Sequence, residues 1–222
     1  MYLIYNIFIF IILLITPVIL IIRIFLGKED KSRFLEKFCF FTKKNKSHST
    51  VWFHGASVGE VMSIIPLVKK LEKDSNVKKI LITSSTISSS NIISKFKLKK
   101  TTHQFYPFDL NFFTKFFINY WKPKLAIFVD SEIWPNMYRN LNERKIPLIL
   151  INARITKKSF DRWKYFPNFS KNIFEKINIA LPQNMETKKY LRLLGSKKII
   201  IAGNLKFYGN TQANYSNVNF KK

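Results

Sequence analysis

From Thr50 onward, short runs rich in β-branched and aromatic residues alternate with longer segments of helical spacing. That order restricts the possible folds more than any other feature of the chain. The strand-like runs are 51–56, 79–83, 104–106, 125–129, 148–151, 179–181 and 199–202. Between them, in 61–71 for example, Ile64, Leu67, Val68 and Leu71 fall on one helical face. Segment 155–166 has no clear type. Strands joined through helices predict an α/β fold with a parallel sheet covered on both faces and right-handed crossovers. No internal repeat or long low-complexity linker interrupts the pattern.

In such a sheet, ligands bind beyond the carboxyl ends of the strands, so the residues after each run carry the functional signal. They are Ser57, Gly59 and Glu60; then Ser84, Ser85 and Thr86; then Asp109; then Asp130, Glu132 and Trp134; then Asn152 and Arg154; then Gln183; and finally Asn204 and Lys206. Carboxylates and cations therefore gather on one edge, as a catalytic or binding edge requires. Each has a plainer reading. Glu60 falls in the first turn of a predicted helix, where an acidic residue gains about 0.3–1 kcal/mol from the helix dipole. By position alone, that is its simpler role. Gly55 and Gly59 permit a tight turn, but no Gly-Lys-Ser/Thr comes after them to make a phosphate-binding loop. Asp130 and Glu132 lie two apart. If extended, they point the same way, and two close carboxylates suit acid–base chemistry. Alternatively they form an acidic helix start before Pro135. Arg154 suits bidentate recognition of phosphate or carboxylate, and Lys206 suits stabilisation of developing negative charge. Either is also an ordinary loop cation. Trp121, Trp134 and Trp163 read as core or interface anchors rather than stacking platforms.

Residues 1–26, "MYLIYNIFIFIILLITPVILIIRIFL", are almost wholly apolar. They are long enough to cross a bilayer, which takes about 20 apolar residues, and they lack the basic start and small-residue cleavage site of a signal peptide. The bases just after them place the remainder of the chain on the cytoplasmic side. Pro17 introduces a kink, which leaves open a helix embedded in one leaflet. Residues 27–49 mix bases with Phe and Leu, as in an amphipathic segment on an anionic membrane face. The 222 residues carry 38 basic and 13 acidic side chains, a net charge of +25 that implies an anionic partner. Part of the lysine excess has a second source, since the chain is also rich in the Ile, Asn and Phe that AT-rich codons favour. Nucleic acid is a weaker reading, because the apolar leader and the lack of a recognition motif argue against it. The single cysteine, Cys39, excludes an internal disulfide, and His48, His54 and His103 are not at metal-ligand spacing. Neither a metal nor a cofactor is expected.

Taken together, "HGASVGEVMSIIPLVKKL", "FYPFDL", "KPKLAIFVDSEIWPNMYRNLNERKIPLILINARITKKS" and "LPQNMETKKYLRLLGSKKIIIAGNLKF" resemble, in order, the N-terminal half of the bacterial lipid A Kdo transferases. The resemblance extends over residues 1 to about 207. It implies a GT-B fold of two Rossmann-like domains with the active site between them, and inverting transfer of Kdo (3-deoxy-D-manno-oct-2-ulosonic acid) from CMP-Kdo to the tetra-acylated lipid A precursor at the inner membrane. It also implies a division of the chain: 1–26 a membrane anchor, 27–49 a basic membrane-proximal segment, 50–207 the acceptor-side domain and 208–222 a polar tail. Carried over, Glu60 resembles the general base, to sit within about 3 Å of the acceptor hydroxyl. Asp130, Glu132 and Lys206 resemble groups assisting the transition state. Ser57, Gly59, Asn152, Arg154, Gln183 and Asn204 line the substrate edge, with Arg154 and the anchor region meeting the lipid's phosphates.

There are three departures from the family pattern. Asp130 stands where relatives usually carry Glu. "SSTISSSN" at 84–91 replaces a Thr-Pro-Thr-Gly element. After Phe207 the chain runs into the polar tail, without the donor-binding domain. The chain alone is therefore expected to be inactive and to need a complementing C-terminal half. The rival reading is a non-catalytic membrane-bound protein that binds acidic lipid.

Overall fold

The computed structural model describes residues 1–43 and 49–201. Six parallel strands, β1 (Thr50–His54), β2 (Lys79–Ser84), β3 (Thr101–Phe105), β4 (Pro123–Val129), β5 (Leu148–Ala153) and β6 (Ile179–Pro182), form one sheet in the order β3-β2-β1-β4-β5-β6. The order reverses at β1, between β2 and β4, so a crevice opens there at the carboxyl ends of the strands. The helices α2 (Val58–Lys73), α3 (Ile87–Lys95), α4 (Asn111–Trp121), α5 (Pro135–Glu143), α6 (Lys157–Lys164), α7 (Pro167–Phe174) and α8 (Met185–Leu194) fill the crossovers or come after the last strand.

The period of two along each strand divides the core. Phe53, Ile80, Ile82, Ile127 and Val129 pack with Val61, Ile64 and Val68 of α2 on one face. Trp52, Phe128 and Leu150 pack with Phe117, Tyr138 and Ile173 of α4, α5 and α7 on the other. Both faces are apolar because both are covered.

Three expectations are corrected in detail. The third strand is Thr101–Phe105 rather than 104–106. It is an edge strand, and its polar Thr101, Thr102 and His103 conceal it from a hydrophobic count. The run at 199–202 forms only a bridge between Ile199 and Ala180 among the described residues. The untyped segment 155–166 contains a helix, α6, started by Thr156, whose hydroxyl accepts from the Ser159 N–H.

The N-terminal stretch is one helix, α1 (Tyr2–Phe25), long and apolar enough to cross a membrane by length and composition. One face is docked on the domain. The Tyr5 hydroxyl donates to Asp109 Oδ2 at 2.8 Å, Asn136 Nδ2 donates to Asn6 Oδ1 at 2.8 Å, and the Tyr2 ring packs edge-on against Phe169. Farther along, Thr16 and Leu20 are buried, while Leu3, Phe8, Leu14 and Phe25 stand exposed. The segment after it covers the sheet edge. In the 3-10 turn Phe34–Phe38, buried Glu36 accepts the Phe105 N–H at 3.0 Å and pairs with Arg33, which also donates to the His103 carbonyl. The outer hydrogen-bonding row of β3 is thereby occupied in part, which protects an edge otherwise open to pairing with another chain.

Candidate functional site

Glu60 sits one turn into α2, directly beyond β1. Its Oε2 accepts the Ala56 N–H at 2.6 Å and its Oε1 accepts the Ser57 hydroxyl at 2.8 Å, while Ser57 Oγ accepts the Glu60 N–H at 3.4 Å. This is a variant of the Ser-x-x-Glu helix cap, with the carboxylate taking the Ala56 N–H and the Ser57 hydroxyl rather than the Ser57 N–H, and it puts Glu60 at the helix start as the simpler reading has it. Gly55 gives it room: a Cβ there would lie 3.1 Å from Glu60 Cβ and 3.3 Å from the Val61 nitrogen, a tight fit. At Gly59 a Cβ would meet nothing within 4 Å, so close approach does not explain that glycine.

Capping does not exhaust Glu60. Partial burial is the main cause pushing its pKa up; the Ser57 hydrogen bond opposes this, and the charges of Glu132 and Asp130 add to it. The effect is a carboxylate that takes up a proton more readily than an ordinary glutamate.

Glu132 is tuned the opposite way. Burial alone would raise its pKa, but His54 and Trp134 hold it below the usual range. Glu132 Oε2 lies 3.1 Å from His54 Nε2 and accepts Trp134 Nε1–H at 2.9 Å. An ionised carboxylate only accepts, so His54 Nε2 is the donor. His54 is itself buried, stacked on Tyr106 with ring centroids 3.9 Å apart, and its Nδ1 lies 3.0 Å from Thr83 Oγ1. The Tyr138 hydroxyl donates to the Glu132 carbonyl at 2.8 Å. Two carboxylates on one sheet edge thus have their proton affinities pushed apart, the pattern of an acid–base site.

The extended i, i+2 arrangement expected for Asp130 and Glu132 is not found. Asp130 has a positive φ of 62° and opens a turn, so the alternation of the strand stops before it. Glu60 is the carboxylate of this edge whose pKa rises. Asn152, at the end of neighbouring β5, also has a positive φ, 51°. The two strained residues are locked into the ladder: the Asp130 N–H donates to the Ile151 carbonyl and the Arg154 N–H to the Asp130 carbonyl. Non-glycine residues held in this region concentrate at working sites.

Asn152 is buried, and neither side-chain polar atom has a hydrogen-bond partner among the described residues. Its carbonyl accepts Gln183 Nε2–H at 2.8 Å. Arg154 is exposed beside them. Ser57, Glu60, Asp130, Glu132, Asn152, Arg154 and Gln183 thus all stand at the carboxyl edge. Asn204 and Lys206 lie outside the described residues. Asp109 has a different task. Its carboxylate accepts the Asn136 and Met137 N–H groups and the Tyr5 hydroxyl, starting α5 and docking α1. Burial nevertheless pushes its pKa up to about 7.

Sequence reasoning misses His54 and the polar use of Trp134. Metal-ligand spacing is the wrong question for His54, whose place as the last residue of β1, just before Gly55, already puts it at the edge. Trp134 is an anchor by size, and its indole N–H is a donor that a hydrophobic reading leaves out.

Comparison with known proteins adds an independent line. Residues 32–208 match the family model described as 3-deoxy-D-manno-octulosonic-acid transferase (kdotransferase). Among curated proteins, a 3-deoxy-D-manno-octulosonic acid transferase of Rickettsia bellii is 38% identical over 200 residues, 89% of this chain and 47% of the relative. One from Rickettsia prowazekii is 32% identical, covering 93% of this chain and 54% of the relative. The chain thus spans about half the length of the curated relatives it matches. Among solved structures, a UDP-GlcNAc 2-epimerase of Neisseria meningitidis, bound to UDP-GlcNAc, superposes with a TM-score of 0.51 at 15% identity, covering 71% of this chain and 47% of that one. At that identity the likeness speaks for the fold alone, a Rossmann-like domain of the GT-B type.

Proposed function

Because the chain belongs to the 3-deoxy-D-manno-octulosonic-acid transferase (kdotransferase) family, we propose that it forms the acceptor side of a glycosyltransferase that moves Kdo from CMP-Kdo to the lipid A precursor. Glu60 is the general base. It takes the proton of the acceptor hydroxyl as that oxygen attacks the anomeric carbon of Kdo. The bond from that carbon to the CMP phosphate breaks, CMP leaves with the electron pair, and attack from the opposite face inverts the centre. Asp130 and Lys206 assist the transition state, and Glu132, held ionised by His54 and Trp134, fixes the field around Glu60. Ser57, Gly59, Asn152, Arg154, Gln183 and Asn204 position the substrates, Arg154 toward phosphate. The observation that carries this reading is the placement of two carboxylates on a single sheet edge, Glu60 held at the start of α2 by Ala56 and Ser57 and Glu132 held by His54 and Trp134.

The acceptor is a membrane lipid, and the docking of α1 bears on how it is reached. Contacts from Tyr2 to Asn6 fix the start of the helix to the domain, and Thr16 and Leu20 are buried farther on. Only residues 21–25 lie beyond the last of these, about 7 Å of helix at 1.5 Å per residue, far short of the roughly 30 Å of a bilayer core. In this docked form α1 lies in the cytoplasmic leaflet of the inner membrane, its exposed face in lipid, with basic residues of 27–43 toward anionic headgroups. Residues 50–207 form the acceptor-side domain.

The donor site belongs mostly to a second domain. Residues 1–222 mixed with lipid A precursor and CMP-Kdo are expected to transfer no Kdo. Adding the C-terminal half of a relative is expected to restore transfer, scored by the mass of the product lipid. Transfer by the 222 residues alone would refute the division of labour. No transfer in any combination, with acidic vesicles still bound, would favour a lipid-binding role without catalysis.

A further inference from the structure

A cavity of about 270 Å³ lies between α1 and the carboxyl edge of the sheet. Ile9, Ile12 and Leu13 form its helix wall, and Tyr106, Pro107 and Trp134 line it from the domain. Its charged neighbours are already engaged: Asp109 accepts three hydrogen bonds, and Lys37 donates to Glu29 at 2.6 Å. What remains is a largely apolar space, with Ser85 also at its wall. The space connects α1 to the candidate site. One wall is the helix whose other face is exposed and apolar. Another is Trp134, whose indole N–H holds Glu132.

We propose that this cavity seats one acyl chain of the lipid acceptor, so that the lipid is gripped by its tail while its sugar reaches Glu60. The proposal rests on the lipid-acceptor reading above. An acyl chain matches the apolar lining, and α1 brings the cavity into contact with the only abundant source of such chains, the leaflet in which the helix lies. Holding the tail reduces the orientational freedom of the hydroxyl to be activated, as positioning catalysis requires.

The test uses the full chain on phosphatidylcholine–phosphatidylglycerol vesicles. These are doped either with lipid A precursor bearing a photoactivatable diazirine at the end of an acyl chain or with phosphatidylglycerol labelled in the same way. Peptides containing Ile9, Ile12, Leu13 or Tyr106 should be labelled by the first probe and competed by unlabelled lipid A precursor. Leu13→Trp, which fills the cavity, should reduce that labelling by about tenfold. Leu14→Trp on the exposed face should leave it unchanged. If Leu13→Trp fails to fold by circular dichroism, Ile9→Phe serves in its place. Labelling confined to the outer face of α1, equal labelling by the phosphatidylglycerol probe, or insensitivity to the filling variant would overturn the proposal. None of these readouts depends on Kdo transfer, so a failure of the transferase reading would be seen separately.

Discussion

At the scale of single residues, Glu60 does two things at once. It closes a helix cap through Ala56 and Ser57, and burial keeps its carboxyl hungry for a proton. The first role is legible from Ser57 and Glu60 at cap spacing. The second is not, because the burial that chiefly raises its pKa comes from the fold, and the charges that add to it, Glu132 and Asp130, lie some seventy positions away in sequence. Glu132 depends in turn on His54. A His54→Phe variant keeps the ring stacked near Tyr106 but removes the donor to Glu132. Loss of a buried hydrogen bond to a charged group should destabilise the protein by about 1.5–3 kcal/mol at neutral pH, read from urea unfolding. Glu132 has a lowered pKa, so its contribution is present above the ordinary glutamate range and is lost as pH falls through the folded-state value. The penalty of the variant should therefore shrink on acidification. A penalty independent of pH would mean that the His54–Glu132 contact does not hold Glu132 ionised.

At the scale of elements, α1 is the least expected feature. Asn6 reads as an interruption of an apolar stretch and Tyr5 as part of it, yet these two residues are what docks it, through Asn136 and Asp109. No local pattern could reveal this, since the partners lie more than a hundred residues downstream. The same holds for Glu36 and Arg33, whose bonds to β3 give a basic, aromatic segment a structural task at the sheet edge. Tyr5→Phe should loosen the docking of α1, at a cost of about 1–3 kcal/mol. The lost hydroxyl favours the ionised form of Asp109, whose pKa stands at about 7. The destabilisation should therefore be greater above that pH than below it, measured by hydrogen exchange of the α1 amides. Equal exchange in the variant and the wild type would show that apolar contacts alone hold the helix.

At the scale of the whole molecule, the alternation of strand and helix is enough to foresee a parallel sheet and the edge that carries the candidate site. The switch in strand order at β1, which opens the crevice, arises from pairing and cannot be counted from periodicity. The leaflet orientation proposed for α1 has a direct consequence. A reporter fused before Met1 should read out on the cytoplasmic side, together with the domain. A periplasmic reading would show that the helix leaves its dock and crosses the bilayer. The central claim remains that Glu60 activates the acceptor. Its most direct test is kcat/KM against pH for Kdo transfer by the 222 residues joined with a complementing half, with Glu60 intact and as Glu60→Gln. The intact enzyme should show an acidic limb above the ordinary glutamate range, because the base must lose a proton that burial makes it hold. The variant should lose about 10²- to 10⁴-fold in rate and lose that limb, with lipid A precursor still bound. Near-wild-type rates with the limb unmoved would contradict the assignment.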